Sequence, residues 1–445
     1  MAFTKDFVFG VATSSYQIEG GIMEGGRTPS IWDTYCTIPG RVLNGDTGDV
    51  ACDHYHRYKE DIALMKELGI DSYRLSISWS RIFPEQGVYN SQGMDFYKNV
   101  IREVKRNSMS AMVTLYHWDL PVWAFKQGGW LNRDCVKWFE EYSRKCFEEL
   151  DEDVDYWITH NEPFCTSFVS FLEGRHAPGH KDLEEAVTVS HHVLLSHGRA
   201  VKLYREMGCK HKIGITLNLT PAYPTTDSYA DKVAANNRNG YTNRWFLEPV
   251  CKGNYPIDMI NLYAGQCKTD FSFIQAGDME TISTKCDFLG INYYSRVTVD
   301  YDSTCVQLAK NAYYTDYKKT AMGWDIGTQE FFDLISFVRS NYTDIPIYIT
   351  ENGSAWEDKL SDGKVHDKDR VEYLNAHLNQ LERMNEAGMN VAGYYYWSFL
   401  DNFEWAWGYS KRFGLVYIDY NTQERIPKDS FYAYQRFISE VKGTN

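Results

Sequence analysis

The sequence has no run of about 18 consecutive apolar residues of the kind that crosses a bilayer. Its first residues, MAFTKDFVFGVATSS, lack both the basic start and the roughly 7 to 15 residue apolar core of a signal peptide. Positive charge is also short. There are 46 Lys and Arg against 60 Asp and Glu, a net charge of -14 with a pI near 5.4. Nucleic acid, an anionic membrane and polyphosphate ligands all call for a basic footprint, so none of them is expected as a partner. The ten cysteines form no Cys-x-x-Cys pair, which removes the usual zinc and dithiol motifs, and they read as reduced, small apolar residues. His54 and His56, and likewise His191, His192 and His197, have no carboxylate or cysteine at a recognised ligand spacing, so no metal is expected. No linker or charge block divides the chain, and residues 1–445 read as one domain.

What is present is ordinary in bulk and unusual in one respect. Hydrophobic content is 43% and charged content 24%, both typical of a globular protein. Aromatics reach 16%, with 13 Trp and 33 Tyr. Flat rings with a polar handle suit sugar faces, but they also fill large cores, and composition alone favours the core. Asn-x-Ser/Thr sequons occur at Asn218, Asn341 and Asn352. Two of them fall at strand ends assigned below to the site, where a glycan would obstruct it, so a soluble cytoplasmic protein is expected.

The chain repeats a helix, a break and a short apolar strand. In RYKEDIALMKEL, Tyr58, Ile62, Met65 and Leu68 recur at helical spacing, Gly69 ends the helix, and SYRLSISW follows as a strand. Eight strands of this type can be collected: FVFGVATSS, SYRLSISW, AMVTLYHW, YWITHNEP, IGITLNL, FLGINYY, IPIYITEN and AGYYYWSF. Strands alternating with helices imply right-handed crossovers and a parallel sheet, and eight units over this length predict a closed (β/α)8 TIM barrel. The long stretch from Asp227 to Cys286 reads as a βα insertion that deepens a pocket.

Barrel enzymes place their chemistry at the carboxyl ends of the strands. Those ends offer Gln17, Glu19, Arg74, His117, Trp118, Asn161, Glu162, Asn218, Asn292, Tyr294, Glu351 and Trp397. Any one of these alone is better read as a satisfied strand-end hydrogen bond; together they suggest a site. Glu162 and Glu351 each follow an apolar segment and precede a turn signal, Pro163 and Asn352-Gly353. Two carboxyls facing each other in one pocket repel, so their pKa values separate and one keeps its proton. That is the equipment of glycoside hydrolysis.

The motifs FVFGVATSSYQIEG, YRLSISWSRIFPEQG, LYHWDLP, THNEP, GINYYS, YITENG and WSFLDNFEWAWGYSKRFGLVYIDY resemble, in type and order, those of the family-1 glycoside hydrolases. The resemblance spans nearly the whole chain. It implies a retaining β-glucosidase acting on terminal non-reducing β-D-glucosyl residues of cellobiose, cello-oligosaccharides and aryl or alkyl β-glucosides, with β-galactosidase or β-fucosidase side activity. By the same resemblance Glu162 is the general acid/base and Glu351 the nucleophile, about 5 to 5.5 Å apart. Arg74 and Tyr294 would support Glu351. Gln17, His117, Asn161, Glu404 and Trp405 would bind glycone hydroxyls, Trp397 would stack beneath the ring, and Trp118 would stand beside them. Asn218 and Trp324 would lie toward the leaving group, although plain core packing is the favoured reading of Trp324. No cofactor is implied, the partner is a small β-glycoside, and homo-oligomerisation is left open.

Two rivals belong beside this reading. Members that bind a 6-phosphate resemble this chain at Lys411, but they carry serine and tyrosine at the positions of Glu404 and Phe413. A non-catalytic sugar-binding homologue would be expected to lack one of the two glutamates. Trp407 stands where many family members have an acidic residue.

Overall fold

The computed structural model describes residues 3–267, 269–312 and 314–443. Eight parallel strands close in chain order into a barrel: β1 (Val8–Ala12), β2 (Ser72–Ser76), β3 (Ser110–Tyr116), β4 (Tyr156–Asn161), β5 (Lys212–Asn218), β6 (Phe288–Asn292), β7 (Ile347–Asn352) and β8 (Val391–Trp397). β8 pairs back onto β1, with Gly10 opposite Tyr395. The helices α1 (His54–Leu68), α2 (Ser91–Arg106), α3 (Cys135–Leu150), α4 (Leu183–Glu206), α5 (Thr328–Asn341), α6 (Lys368–Glu386) and α7 (Asp429–Lys442) follow successive strands, except that β5 leads into a run of shorter helices. The expected barrel is therefore present. No helix among the described residues is long and apolar enough to cross a membrane.

Local chemistry explains the elements. In α2, Met94, Tyr97, Val100, Ile101 and Val104 are buried at helical spacing and form one apolar stripe. α1 ends where Gly69 takes a left-handed conformation, φ 83°. Along β7, Ile347 and Ile349 pack outward into the core shared with the helices, while Tyr348 packs inside the barrel. Tyr348 meets Tyr156 and Phe288 at ring distances of 5.4 and 5.2 Å, so the interior is filled rather than hollow. Gly10 makes room for this filling, since a Cβ there would lie 2.4 Å from the Tyr395 ring.

Strand limits differ from expectation at β1. The strand stops at Ala12 and a helical turn, Ser15–Ile18, takes over, so Gln17 and Glu19 are not strand-end residues. Glu19 accepts from Arg81 and Tyr97 behind that turn. Asn352-Gly353 is not a turn either. Asn352 is the last residue of β7, and Gly353 is required by close approach, because a Cβ would lie 1.8 Å from the Trp397 carbonyl oxygen. The insertion between Asp227 and Cys286 is largely helical, with helices at Tyr229–Asn239, Trp245–Lys252, Ile257–Cys267 and Asp278–Ile282. All ten cysteines are unpaired.

A buried ionic network holds together the loops that leave β7 and β8. Lys428 Nζ donates to Asp358 at 2.5 Å and to Asp401 at 2.6 Å; Arg370 binds Asp358 and Asp367; Arg412 binds Asp401 at 2.6 Å. Lys428, Arg370 and Asp401 are fully buried. Lys428→Met should leave two buried carboxylates short of a cation and cost about 3–5 kcal/mol, measurable as a lowered denaturation midpoint against wild type.

Candidate active site

At the carboxyl ends of the strands lies an open cavity of about 1210 Å³, counted out to its mouth. Glu162 and Glu351 both line it. Alternation from the inward-packed Ile158 would carry Glu162 to the inside, but alternation from Tyr348 would send Glu351 outward. In β4, Thr159 bonds His197 and His160 bonds Ser196, so two successive side chains face α4. The register slips between Ile158 and Asn161 accordingly, which brings Asn161 to the inside. In β7 the register slips between Ile349 and Glu351. There Thr350 and Glu351 both face inward, and Asn352 turns out to Tyr373 and Tyr394.

The two carboxyls are joined by a chain of hydrogen bonds. Arg74 Nη1 donates to Glu351 Oε1 at 2.5 Å and Nη2 to Asn161 Oδ1 at 2.7 Å. Asn292 Nδ2 then bridges Asn161 Oδ1 at 3.1 Å and Glu162 Oε1 at 2.7 Å. Tyr294 donates its hydroxyl to Glu351 Oε2 at 2.6 Å. Glu351 is thus ion-paired and doubly hydrogen-bonded. Glu162 is pushed up to about 7, first by burial and then by the charge of Glu351, with Asn292 opposing. Oε1 accepts from Asn292, and Oε2 accepts from the Cys165 thiol at 3.0 Å, which likewise opposes the rise. Glu404 is pushed up to about 8 by burial, then by Glu351, then by Glu162.

The remaining candidates fall into two groups. His117, Trp118, Asn218, Tyr294, Trp324, Trp397, Glu404 and Trp405 line the same cavity. Trp324 is only partly buried against Tyr294 and Phe413, so it faces the cavity rather than being simple core. The His117 ring stacks between Trp397 at 5.8 Å and Trp405 at 6.1 Å. Gln17 and Asn161 stand behind the lining. Gln17 spends its amide on Asn402 and the Phe403 carbonyl, and Asn161 is fully buried among Arg74, Asn292 and His117. Both arrangements have the same cause: a buried amide must satisfy its donors and acceptors, and here protein groups do so.

Three buried polar atoms of the lining have no partner among the described residues: His117 Nδ1, Glu404 Oε2 and, farther out, Arg238 Nε. Asn161 Oδ1 takes two N–H donors, so its Nδ2 faces His117 Nε2, and the His117 proton sits on Nδ1. Burial holds that imidazole well below its ordinary pKa and therefore neutral. A buried donor and a buried acid without partners are what a hydroxyl-rich ligand would satisfy. Trp118, Glu162 and Trp405 carry left-handed backbone, with φ of 80°, 50° and 48°. Such strain costs on the order of 1–3 kcal/mol per residue and clusters at functional sites.

Comparison with known proteins follows from this geometry. The family model for glycosyl hydrolase family 1 matches residues 1–443. The chain belongs to that family, and it is a glycoside hydrolase with a TIM barrel. "Beta-glucosidase A" of Acetivibrio thermocellus is 46% identical over 442 residues, 98% of each chain. A "Bifunctional beta-D-glucosidase/beta-D-fucosidase" of Bifidobacterium breve is 40% identical over 463 residues, 99% of each. The crystal structure of the family-1 β-glucosidase from Exiguobacterium antarcticum B7 superposes with a TM-score of 0.98 at 56% identity, covering 100% of this chain and 99% of that one.

Three contributors to the site went unread in the sequence or received no role there. Asn292 was legible as a strand-end amide, yet its bridging position depends on the slip in β4. Cys165 sits three residues after Glu162, whose carbonyl begins the next helix at Pro163. That spacing could have flagged the thiol. Arg238 lines the cavity from the insertion after β5 and leaves no motif.

Because Glu351 raises Glu162 and burial raises it more, Glu351→Gln should lower the Glu162 pKa by about one unit. It should stay above the ordinary carboxyl value. Difference infrared titration of the protonated carboxyl band would measure the shift, and an unchanged titration would mean the two groups do not interact.

Proposed function

We propose that this family-1 hydrolase is a retaining β-glucosidase that removes terminal non-reducing β-D-glucosyl residues. The observation that carries the reading is the asymmetry of the two glutamates, one ion-paired to Arg74 and the other pushed up to about 7. In the first step Glu351 attacks the anomeric carbon and the bond to the leaving oxygen breaks. Glu162 passes its proton to that oxygen, leaving a glycosyl ester on Glu351. In the second step Glu162 takes a proton from water, which attacks the same carbon and frees the sugar and Glu351. Asn292 stays hydrogen-bonded to Glu162 in both charge states, so the carboxyl need not swing between steps.

The glycone fits the wall formed by His117, Trp397, Glu404 and Trp405. His117 Nδ1 offers a donor and Glu404 a carboxyl that can donate and accept, which suits neighbouring hydroxyls. Gln17 supports this wall indirectly, by fixing Asn402 and Phe403 just before Glu404. We extend the substrates to cellobiose, cello-oligosaccharides and aryl or alkyl β-glucosides. The bifunctional name of the Bifidobacterium breve relative favours β-fucoside side activity. The unpaired cysteines favour a cytoplasmic enzyme.

The mutational test is direct. Glu351→Ala should reduce turnover of an activated aryl β-glucoside below detection, and added azide should restore it with α-glucosyl azide as the product; wild-type turnover in this variant would refute the nucleophile. Glu162→Ala should lose about 10²–10⁴-fold on cellobiose, with much less loss when the leaving group needs no proton.

The pH dependence follows with a definite sign. The acid must enter the first step protonated, so kcat/KM should fall as pH rises through about 7, the value toward which Glu162 is pushed. A profile flat from pH 6 to pH 9 would exclude Glu162 as the acid.

A further inference from the structure

The wall behind Glu162 carries an arginine without an ion pair among the described residues. Phe164 and Cys165, two and three residues after Glu162, line the cavity with it. Phe164 meets the Tyr241 ring at 5.2 Å, and the Arg238 guanidinium lies 5.6 Å over that same ring. Arg238, half-buried at the end of the helix Tyr229–Asn239, therefore lines the cavity on the side where a proton leaves Glu162.

Among the described residues no hydrogen bond or ion pair engages the Arg238 guanidinium, and its buried Nε has no partner. The neighbouring carboxylate, Glu173, is already in use. It binds Arg175 through Nε at 2.8 Å and through Nη2, and it accepts the Tyr241 hydroxyl at 3.2 Å. This wall thus holds two arginines against one carboxylate, in a chain of net charge -14. Arginine side chains at a surface of this composition ordinarily find a carboxylate; a cation left unpaired on a cavity wall is free to meet an anion of the ligand. Asn218, Thr220 and Asn311 line the same region and supply neutral polar groups around it.

We propose that Arg238 selects β-glucosides whose leaving group carries an anion, a carboxylate being the test case. The proposal rests on the glucosidase reading, because it takes the Glu162 side as the leaving-group side. Arg238 forms no bond in the reaction; it would bind the ionised leaving group both before and during cleavage, so its effect belongs mainly in KM.

The experiment compares 4-carboxyphenyl β-D-glucoside with its neutral 4-carbamoylphenyl counterpart, using wild type, Arg238→Gln and Arg238→Glu. Arg238→Gln should raise KM for the carboxylate substrate about tenfold and leave the carbamoyl substrate within about twofold. Arg238→Glu should widen that gap, and salt should weaken the wild-type preference. Equal changes for the two substrates, or no change for either, would overturn the proposal. If wild type cleaves neither compound, the glucosidase reading itself fails and the proposal falls with it.

Discussion

The site is organised around one buried cation. Arg74 is fully buried inside the barrel, where an unpaired guanidinium would cost several kcal/mol. Glu351 meets that charge, the Thr350 carbonyl accepts from the same nitrogen at 3.0 Å, and Asn161 takes the next. The cavity around it holds three carboxyls, Glu162, Glu351 and Glu404, and Arg74 is ion-paired with only one of them. Burial and mutual repulsion push the other two to about 7 and about 8. The protonated acid that the proposed mechanism requires is therefore a consequence of burial beside a second carboxylate that holds the one buried cation, Arg74, and no special donor is needed to create it.

Placing Glu351, and the Asn161 amide that links it to Glu162, depends on two irregularities of the barrel. A regular strand alternates its faces, and it would send every second residue at the rim toward the helices. β4 gives two residues in succession to the outside and β7 gives two to the inside. Both slips occur at the last turn of the strand, where the barrel opens and the ladder has fewer neighbours to satisfy. The ionic network of Lys428, Asp358, Asp401 and Arg370 then fixes the loops beyond, since Arg370 also donates to the Ser354 carbonyl and Asp401 accepts from Gly414. Rim geometry is set from outside the cavity as much as from within.

Much of this was legible in the sequence because the barrel is written in simple periodicities. Apolar strand runs, helix stripes and glycine stops marked all eight units, and the strand ends named both glutamates. The slips were not legible, since Thr159 and His160 look alike to a pattern that counts polarity; only partners on α4 decide which way they face. The partners that Gln17 and Asn161 hold just behind the lining were hidden for a related reason. A sequence shows that an amide is near a site but not whether protein groups have already consumed its hydrogen bonds. The role proposed for Arg238 was invisible because it rests on a partner absent among the described residues, and a chain read residue by residue cannot show which cation is left without an ion pair there.

Glu404 bears on the phosphorylated rival differently from an ordinary carboxylate. With its pKa near 8 it is mostly protonated at neutral pH, so bare charge repulsion is not its first effect. The stronger objection is the absence of cations for a phosphate in that part of the described cavity. Lys411 donates to the Ala321 carbonyl at 2.7 Å and lies 5.0 Å over the Trp407 ring, Phe413 has no hydroxyl, and Arg74 is already paired with Glu351. A phosphate dianion would be stripped of water against indole rings and a neutral acid, a transfer that costs far more than burying a hydroxyl. A sugar hydroxyl, by contrast, can donate to and accept from that acid at once, which is the chemistry the unpartnered Glu404 Oε2 and His117 Nδ1 are suited to.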